Sequence, residues 1–279
     1  MNSLSVVKGF SNDSISFSEC LEVNLTNSQT LFLNVEDKFD NMKINVEDNV
    51  KAKVFVTFNF TEAELCYEIN VKNHANFEMI YIQKNSNNNK FTSTVASNAL
   101  YNMFFINLSK YGVNKFDTSL NGEYAEYNLK TACVNLNDTK SEFTINTKHL
   151  NKVTSSTAIS RSVILSGGKY VNNTTGFIEK GCSLSKCHQD TKAIVLGENA
   201  IAECDPVLLI DEYDVEASHA AAVGQINEDE LYYMQSRGLS YEQCLVLLIN
   251  GFLLSVTTNI SEENMKDLVI EEIQNVLHV

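Results

Sequence analysis

The sequence of 279 residues has no tryptophan, a single proline, Pro206, and only two arginines, Arg161 and Arg237. It also lacks a long apolar run. The longest, Cys244 to Val256, is about 13 residues and is broken by Asn250 and Gly251, whereas a bilayer-spanning helix needs roughly 20. A membrane helix is excluded on that ground, and a membrane is not an expected partner. Met1 to Ser14 show no basic segment followed by an apolar one, so no secretory signal is expected. Nothing matches G-x-x-x-x-G-K-[ST] or G-x-G-x-x-G, and neither a G-x-S-x-G elbow nor H-E-x-x-H occurs. These absences argue against a nucleotide hydrolase acting alone. The cysteines, at 20, 66, 133, 182, 187, 204 and 244, are odd in number and scattered. They fit reduced thiols in a cytoplasmic protein better than a disulfide framework.

What is present supports a folded core: 44% of residues are hydrophobic and 20% charged, enough for one large domain or a domain with an appendage. Asparagine occurs 34 times, and with the preference for Lys, Ile and Tyr this has the look of an AT-rich genome. The net charge of −14 is unevenly placed. Residues 1–195 balance 19 acids against 19 bases, while residues 196–279 carry 16 acids against Arg237 and Lys266. Such a region repels phosphate backbones and favours a basic partner surface or solvent. Nucleic acid is therefore not an expected partner.

Up to about residue 200 the local signals are those of strands. Lys53 to Phe60, Leu65 to Val71, Phe77 to Ile82, Tyr101 to Leu108 and Ala132 to Leu136 are β-branched or aromatic and often alternate. Polar stretches punctuate them, and no alternation with long helices points to a doubly wound α/β enzyme. Small turn residues recur at Gly112, Asn121-Gly122, Gly167-Gly168, Gly176, Gly181 and Gly197, but at irregular spacing. A β-solenoid and a β-sandwich both fit this pattern. The end of the chain changes character. Asn227-Glu-Asp-Glu230 opens a helix that Gly238 closes, Ser240-Tyr-Glu-Gln243 is a capping box for a second, and Ser261-Glu-Glu263 starts a third. The second helix is apolar nearly all round and must be covered on more than one side, by the β part or by a partner.

The densest group of metal-capable side chains is Cys182, Cys187, His188, Cys204 and His219. Thiolates and imidazoles suit iron, zinc or copper(I), although the C-x4-C-H spacing matches no finger or ferredoxin pattern. In a solenoid, residues one coil apart stack, which would bring Cys182 or Cys187 near Cys204; small buried residues are the plainer reading of these thiols. His219 lies in Ala217-Ser-His-Ala-Ala-Ala-Val-Gly224, where small neighbours allow another backbone to approach. His74, His149 and His278 have no companion group in the sequence.

One long, ordered stretch goes further. Pro206-Val-Leu-Leu-Ile-Asp-Glu-Tyr-Asp-Val215, Ala217-Ser-His219, Val223-Gly-Gln-Ile226, Leu231-Tyr-Tyr-Met-Gln-Ser-Arg-Gly238 and Asn250-Gly-Phe252 resemble the C-terminal signature of the SufB/SufD family of iron–sulfur cluster assembly scaffolds. Leu120 to Ala125, Thr147 to Thr157 and Phe177 to Glu179 are weaker echoes, so the resemblance covers about residues 112–258. The segment is most similar to the SufD branch. The SufB branch has acids on either side of the matching histidine, where this chain has Ser218 and Ala220. Some SufD proteins carry a cysteine two residues before it, where this chain has Ala217. Typical SufD chains begin with a helical domain, whereas this chain enters strand-like sequence by Leu21, so it reads as a short form without that domain.

The resemblance implies a mainly β fold: a right-handed parallel β-helix over residues 1–226, followed by a small C-terminal α-helical domain over residues 227–279. It implies a non-catalytic scaffold subunit of a SufBCD-type complex, handling a transient iron–sulfur cluster. The expected partners are a SufC-type ABC ATPase and either a SufB-type subunit or a second copy of the chain. His219 and then Cys204 are the candidate cluster-site residues; Leu231, Tyr232, Arg237, Leu248 and Phe252 are the candidate ATPase contacts. An ion pair with nearby acids is the plainer alternative for Arg237. Two other classes, a β-solenoid surface adhesin and a solenoid polysaccharide-acting enzyme, leave the segment from Ser218 to Phe252 unexplained.

Overall fold

The computed structural model describes residues 4–6, 15–17, 20–35, 40–58, 64–136 and 138–277. Residues 59 and 60, at the end of one expected strand, and His278 lie outside them. Two short strands come first, β1 (Leu4–Val6) and β2 (Ile15–Phe17). The chain then winds between two sheets through β3 (Leu21–Leu25), β4 (Gln29–Val35), β5 (Asn41–Val46), β6 (Lys51–Phe58), β7 (Glu64–Val71) and β8 (Asn76–Gln83). It continues through β9 (Asn88–Val95), β10 (Leu100–Asn107), β11 (Tyr111–Leu120), β12 (Glu126–Asn135) and β13 (Lys140–His149). The last strands are β14 (Ser155–Ile164), β15 (Lys169–Ile178), β16 (Lys186–Val195), β17 (Ile201–Ile210) and β18 (Glu216–Gly224). Even-numbered strands from β4 to β18 form one parallel sheet, sheet A, and odd-numbered strands from β3 to β17 form the other, sheet B. β1 and β2 pair antiparallel with β4 and β3. This is a two-sheeted parallel β-solenoid; of the two folds left open by the strand pattern, the sandwich is set aside.

The coil repeats, but its length grows. Gln29 pairs with Ala52, 23 residues on; Leu100 pairs with Glu126, 26 on; Ser155 pairs with Lys186, 31 on. The strands themselves lengthen from 5 residues in β3 to 10 in β11 through β17, so no fixed period exists to be read. One corner nevertheless recurs in six successive coils. Asn49, His74, Asn98, Tyr124, Val153 and Leu184 all take left-handed φ, between 56° and 63°. Asn49, His74, Asn98, Val153 and Leu184 each donate a backbone N–H to a carbonyl of the following coil. Asparagine tolerates that conformation; Val153 and Leu184 are unusual in it and are held there by the ladder. Asparagine also stacks on the outer face of sheet B, where Asn45 Nδ2 donates to Asn24 at 2.8 Å and Asn70 Nδ2 donates to Asn45 at 3.1 Å.

Alternate side chains of each strand point into the lumen, as the period of two requires. In the early and middle coils that interior is aromatic. Tyr67, Phe91 and Phe116 form a stack along sheet B with centroids 4.3 and 5.0 Å apart. In one column of sheet A, Phe77, Tyr101 and Tyr127 are followed by Ser156, Cys187 and Ala217. The lumen thus passes from aromatic to polar to small towards the C-terminal end.

Helices follow the last strand: α1 (Glu228–Ser236), α2 (Tyr241–Leu254) and α3 (Glu263–Leu277). Their ends are those the sequence announces. Asn227 accepts the N–H of Asp229, Gly238 takes φ 96° after α1, and Ser240 and Gln243 form the reciprocal capping box. Ile249, Leu253, Met265, Val269 and Ile273 bury themselves against Phe55, Ile80, Phe104, Ala132 and Val163 on the outer face of sheet A. The β part covers one side of α2, while Leu247 stays 51% exposed. Glu78, buried on that face, accepts the Ser261 hydroxyl at 2.8 Å and its N–H at 3.3 Å, and Lys53 pairs with Glu262 at 2.8 Å. These contacts pin the start of α3. No helix among the described residues is long and apolar enough to cross a membrane.

Candidate functional site

Each sheet ends, on the C-terminal side, in a strand with no further neighbour among the described residues: β17 in sheet B and β18 in sheet A. Pro206 sits in β17. A proline cannot donate to a ladder and belongs on an edge strand, so the chain's single proline is the sequence feature that marks this edge. Around it, Ile201, Val207, Leu209, Ile210 and Val223 are exposed, Leu209 by 49% and Val223 by 48%. Ordinary edge strands are blunted by charge or cover; this one presents apolar side chains beside unpaired backbone.

The two candidate cluster-site residues both belong to this open end. His219 is in register with Gln189, a lumen-facing residue of β16, so its side chain lies at the mouth of the lumen and is exposed. Cys204 is in register with lumen-facing Asn172 and lies at the same mouth from the opposite sheet, half buried. Burial pushes its thiol up to about 11, with Asp205 adding to the effect. The two do not face each other. Gln189, directly beneath His219, bonds across the lumen to the carbonyl of Val207, three residues along from Cys204 and about 10 Å away at strand rise. No group of three or more metal-capable side chains forms among the described residues.

The other metal candidates separate. Cys187 and His188 are consecutive in a strand and point to opposite faces. Cys187 is buried in the lumen, with its thiol held up by burial, and stacks on Ser156 and Ala217 rather than near Cys204. His188 is on the outer face, its Nδ1 2.7 Å from Ser218 Oγ. Cys182 donates its thiol to the His149 carbonyl at 3.2 Å. His149, which has no companion in the sequence, acquires two in the fold: Nδ1 lies 2.8 Å from Thr154 Oγ1 and Nε2 2.8 Å from Ser156 Oγ. The turn between β13 and β14 brings both hydroxyls in, from five and seven residues along the chain, and no motif announces them.

The candidate ATPase contacts fall into two groups. Tyr232, 76% exposed, and half-buried Leu231 lie on α1, which buries no residue. They line a hollow of about 460 Å³ with Leu196, Ile226, Tyr241 and Leu245. Arg237 forms no ion pair among the described residues. Its guanidinium donates to the Tyr233 hydroxyl at 2.8 Å and lies 5.1 Å from the centre of that ring, so the ion-pair alternative is replaced by a cation–π contact on the exposed face of α1. Leu248 is half buried, and Phe252 packs against the core between α2 and sheet A.

Comparison with known proteins bears on this arrangement. The family model for the SufBD core domain of the SUF system for iron–sulfur cluster assembly matches residues 27–252. The chain belongs to the SufBD family. The match begins far ahead of the segment that carries the resemblance in sequence and takes in the early coils. Among individual proteins, the iron–sulfur cluster assembly protein SufD of Bacillus subtilis is 32% identical over 162 residues, 58% of this chain and 37% of that protein. A SufBD family protein of Mycobacterium bovis is 27% identical over 206 residues, 72% of this chain and 24% of the other. One from Pyrococcus horikoshii is 38% identical over 114 residues, 40% and 23% of the two chains. The chain therefore spans little more than a third of the first of these SufBD relatives and about a quarter of the others.

Proposed function

We propose that this SufBD family chain is a non-catalytic scaffold subunit for iron–sulfur cluster assembly and transfer, which pairs through the open end of its solenoid and docks an ABC-type ATPase through its C-terminal helices. The observation that carries the reading is the uncovered end of both sheets, apolar at its edge, with His219 and Cys204 at the mouth of the lumen. A cluster is cargo in this reading. The imidazole and the thiol supply soft donors that hold it transiently, and the paired chain supplies the remaining ligands.

Charge favours a SufB-type subunit over a second copy. Residues 196–226 carry seven acids and no lysine or arginine. Lys169 and Lys186 of the preceding coil neutralise Glu203 and Glu216 at 3.1 and 2.9 Å, and the other five acids form no ion pair among the described residues. Two such ends brought together repel, whereas a basic edge is attracted. Motion of the ATPase reaches the end through α1, which buries no residue, and α2, which is packed on the sheet. The location in this reading is the cytoplasm, supported by seven free cysteines.

The test is co-expression with the ATPase and a SufB-type chain, followed by light scattering of the purified material. A complex is expected that loses the SufB-type chain in Val223→Asp and the ATPase in Tyr232→Ala. A monomer that ignores both proteins would overturn the proposal.

A further inference from the structure

We infer that Gln189 is the positioning residue for His219: its side-chain oxygen accepts the ring N–H of His219 and so fixes which ring nitrogen faces outward. The inference rests on the reading of His219 as a cluster-site residue. Gln189 is 2% exposed, and its Nε2 is committed to the carbonyl of Val207 at 3.2 Å across the lumen. Gly176 makes room for that reach, since a Cβ there would stand 3.0 Å from Nε2 and 2.4 Å from Cys187 Sγ. The other end of the amide, Oε1, is buried with no partner, His219 included, so the bond forms on rotation of the exposed imidazole. Buried acceptors are almost always satisfied, so this one requires a donor.

The column of sheet A that contains Gln189 narrows the choice. Below it is Ala158, whose side chain has no donor; above it is His219. His219 has the complementary need. An imidazole that binds metal through one nitrogen donates the other N–H to an acceptor, which sets the tautomer. Its neighbours on the edge offer little: Ala217, Ala220 and Ala221 have no acceptor side chain, and Ser218 is engaged with His188 on the outer face. Gln189 supplies the acceptor from below and leaves the second nitrogen directed at the open end.

The tautomer of His219 is the readout, because a merely structural glutamine would not control it. Ring nitrogen shifts of the 15N-labelled full chain are recorded in alkaline solution. One tautomer of His219 is expected in the wild type, and the solution mixture of two in Gln189→Met. The reciprocal measurement needs no core substitution: His219→Ala, at an exposed position, should shift the side-chain amide signals of Gln189. An unchanged tautomer mixture in a folded Gln189→Met, or unmoved Gln189 signals in His219→Ala, would overturn the inference. Loss of the bond and loss of the functional reading are separable. If the tautomer depends on Gln189 while His219→Ala leaves cluster transfer intact, the cluster role of His219 fails and the bond stands.

Discussion

His149 gives the fold a dependence on pH whose size follows from its surroundings. The imidazole is fully buried, and burial holds its pKa down to about 4. In the unfolded chain an ordinary histidine titrates near 6.5. The folded state therefore binds fewer protons than the unfolded state between those values. Stability is complete above about pH 6.5 and is lost as pH falls towards 4. The linkage amounts to about 2 kcal/mol at pH 5 and about 3 kcal/mol at pH 4. The neutral ring is held by two hydroxyls, Thr154 and Ser156, either of which can donate to it, and neither of which compensates a buried cation.

The carboxylates also titrate over that range, so the measurement is a difference. Urea midpoints of the wild type and of His149→Gln are compared from about pH 4.5 to 7.5. Glutamine has no proton to gain, so the substitution carries a fixed cost and removes the slope. The two curves should converge as pH falls, by about 2 kcal/mol between pH 7 and 5. Hydrogen exchange at the amides of residues 154–156 locates the effect in the coil concerned, since repeat structures open locally. A difference that stays constant with pH would refute the reasoning.

The remaining predictions concern packing. Phe116→Ala opens a cavity within the aromatic stack and should cost about 3–5 kcal/mol in denaturant unfolding. Arg161 and Asp190 form an ion pair at 2.6 Å with side chains only 12% and 17% exposed. Asp190→Ala strands a buried guanidinium and should cost about 3–5 kcal/mol, most of it recovered in the Arg161→Met/Asp190→Leu double variant. Deleting residues 240–279 uncovers Phe55, Ile80, Phe104 and Val163 on sheet A. The truncated chain should bind a hydrophobic dye and aggregate, whereas Leu231→Asp on α1 should leave the unfolding midpoint within about 0.5 kcal/mol of wild type.

The parts of this fold that were legible in the sequence are those whose determinants are local. Asn227, the Ser240/Gln243 pair and Gly238 bound two helices because capping is settled within four residues. Strands such as Leu65 to Val71 were visible from alternation alone. The repeat was not, because its coil stretches from 21 to 32 residues and its left-handed corner is filled in turn by Asn, His, Asn, Tyr, Val and Leu. A glycine at each corner would have displayed it. The Cys187–His188 pair misled for the opposite reason: adjacency in a strand means opposite faces. His219 and Cys204 are candidates that the sequence offers through its residue types and the family resemblance, while Gln189 carries no mark in the sequence and acquires its place only when β16 lies beneath β18.

Burial distinguishes the surfaces the solenoid closes from the one it leaves open. The apolar columns on the outer face of sheet A are sealed by α2 and α3, and Glu78 and Lys53 fix where the seal begins. Sheet B needs no cover, because its outer face is built of asparagine and threonine ladders and ion pairs such as Lys43 with Glu68. The lumen is closed along its length by its own side chains. Among the described residues, the C-terminal end stays open, where the interior has already turned from aromatic to polar and then to alanine. An end capped for stability alone would carry large apolar side chains inward and charge outward. This one has Ala217, His219, Ala221 and Val223 in the lumen-facing register of β18 and Leu209 exposed on β17, with acids around the rim. In the function proposed above, the small residues of β18 leave room at the mouth for the cluster, and the apolar, acidic edge receives a second chain of opposite charge.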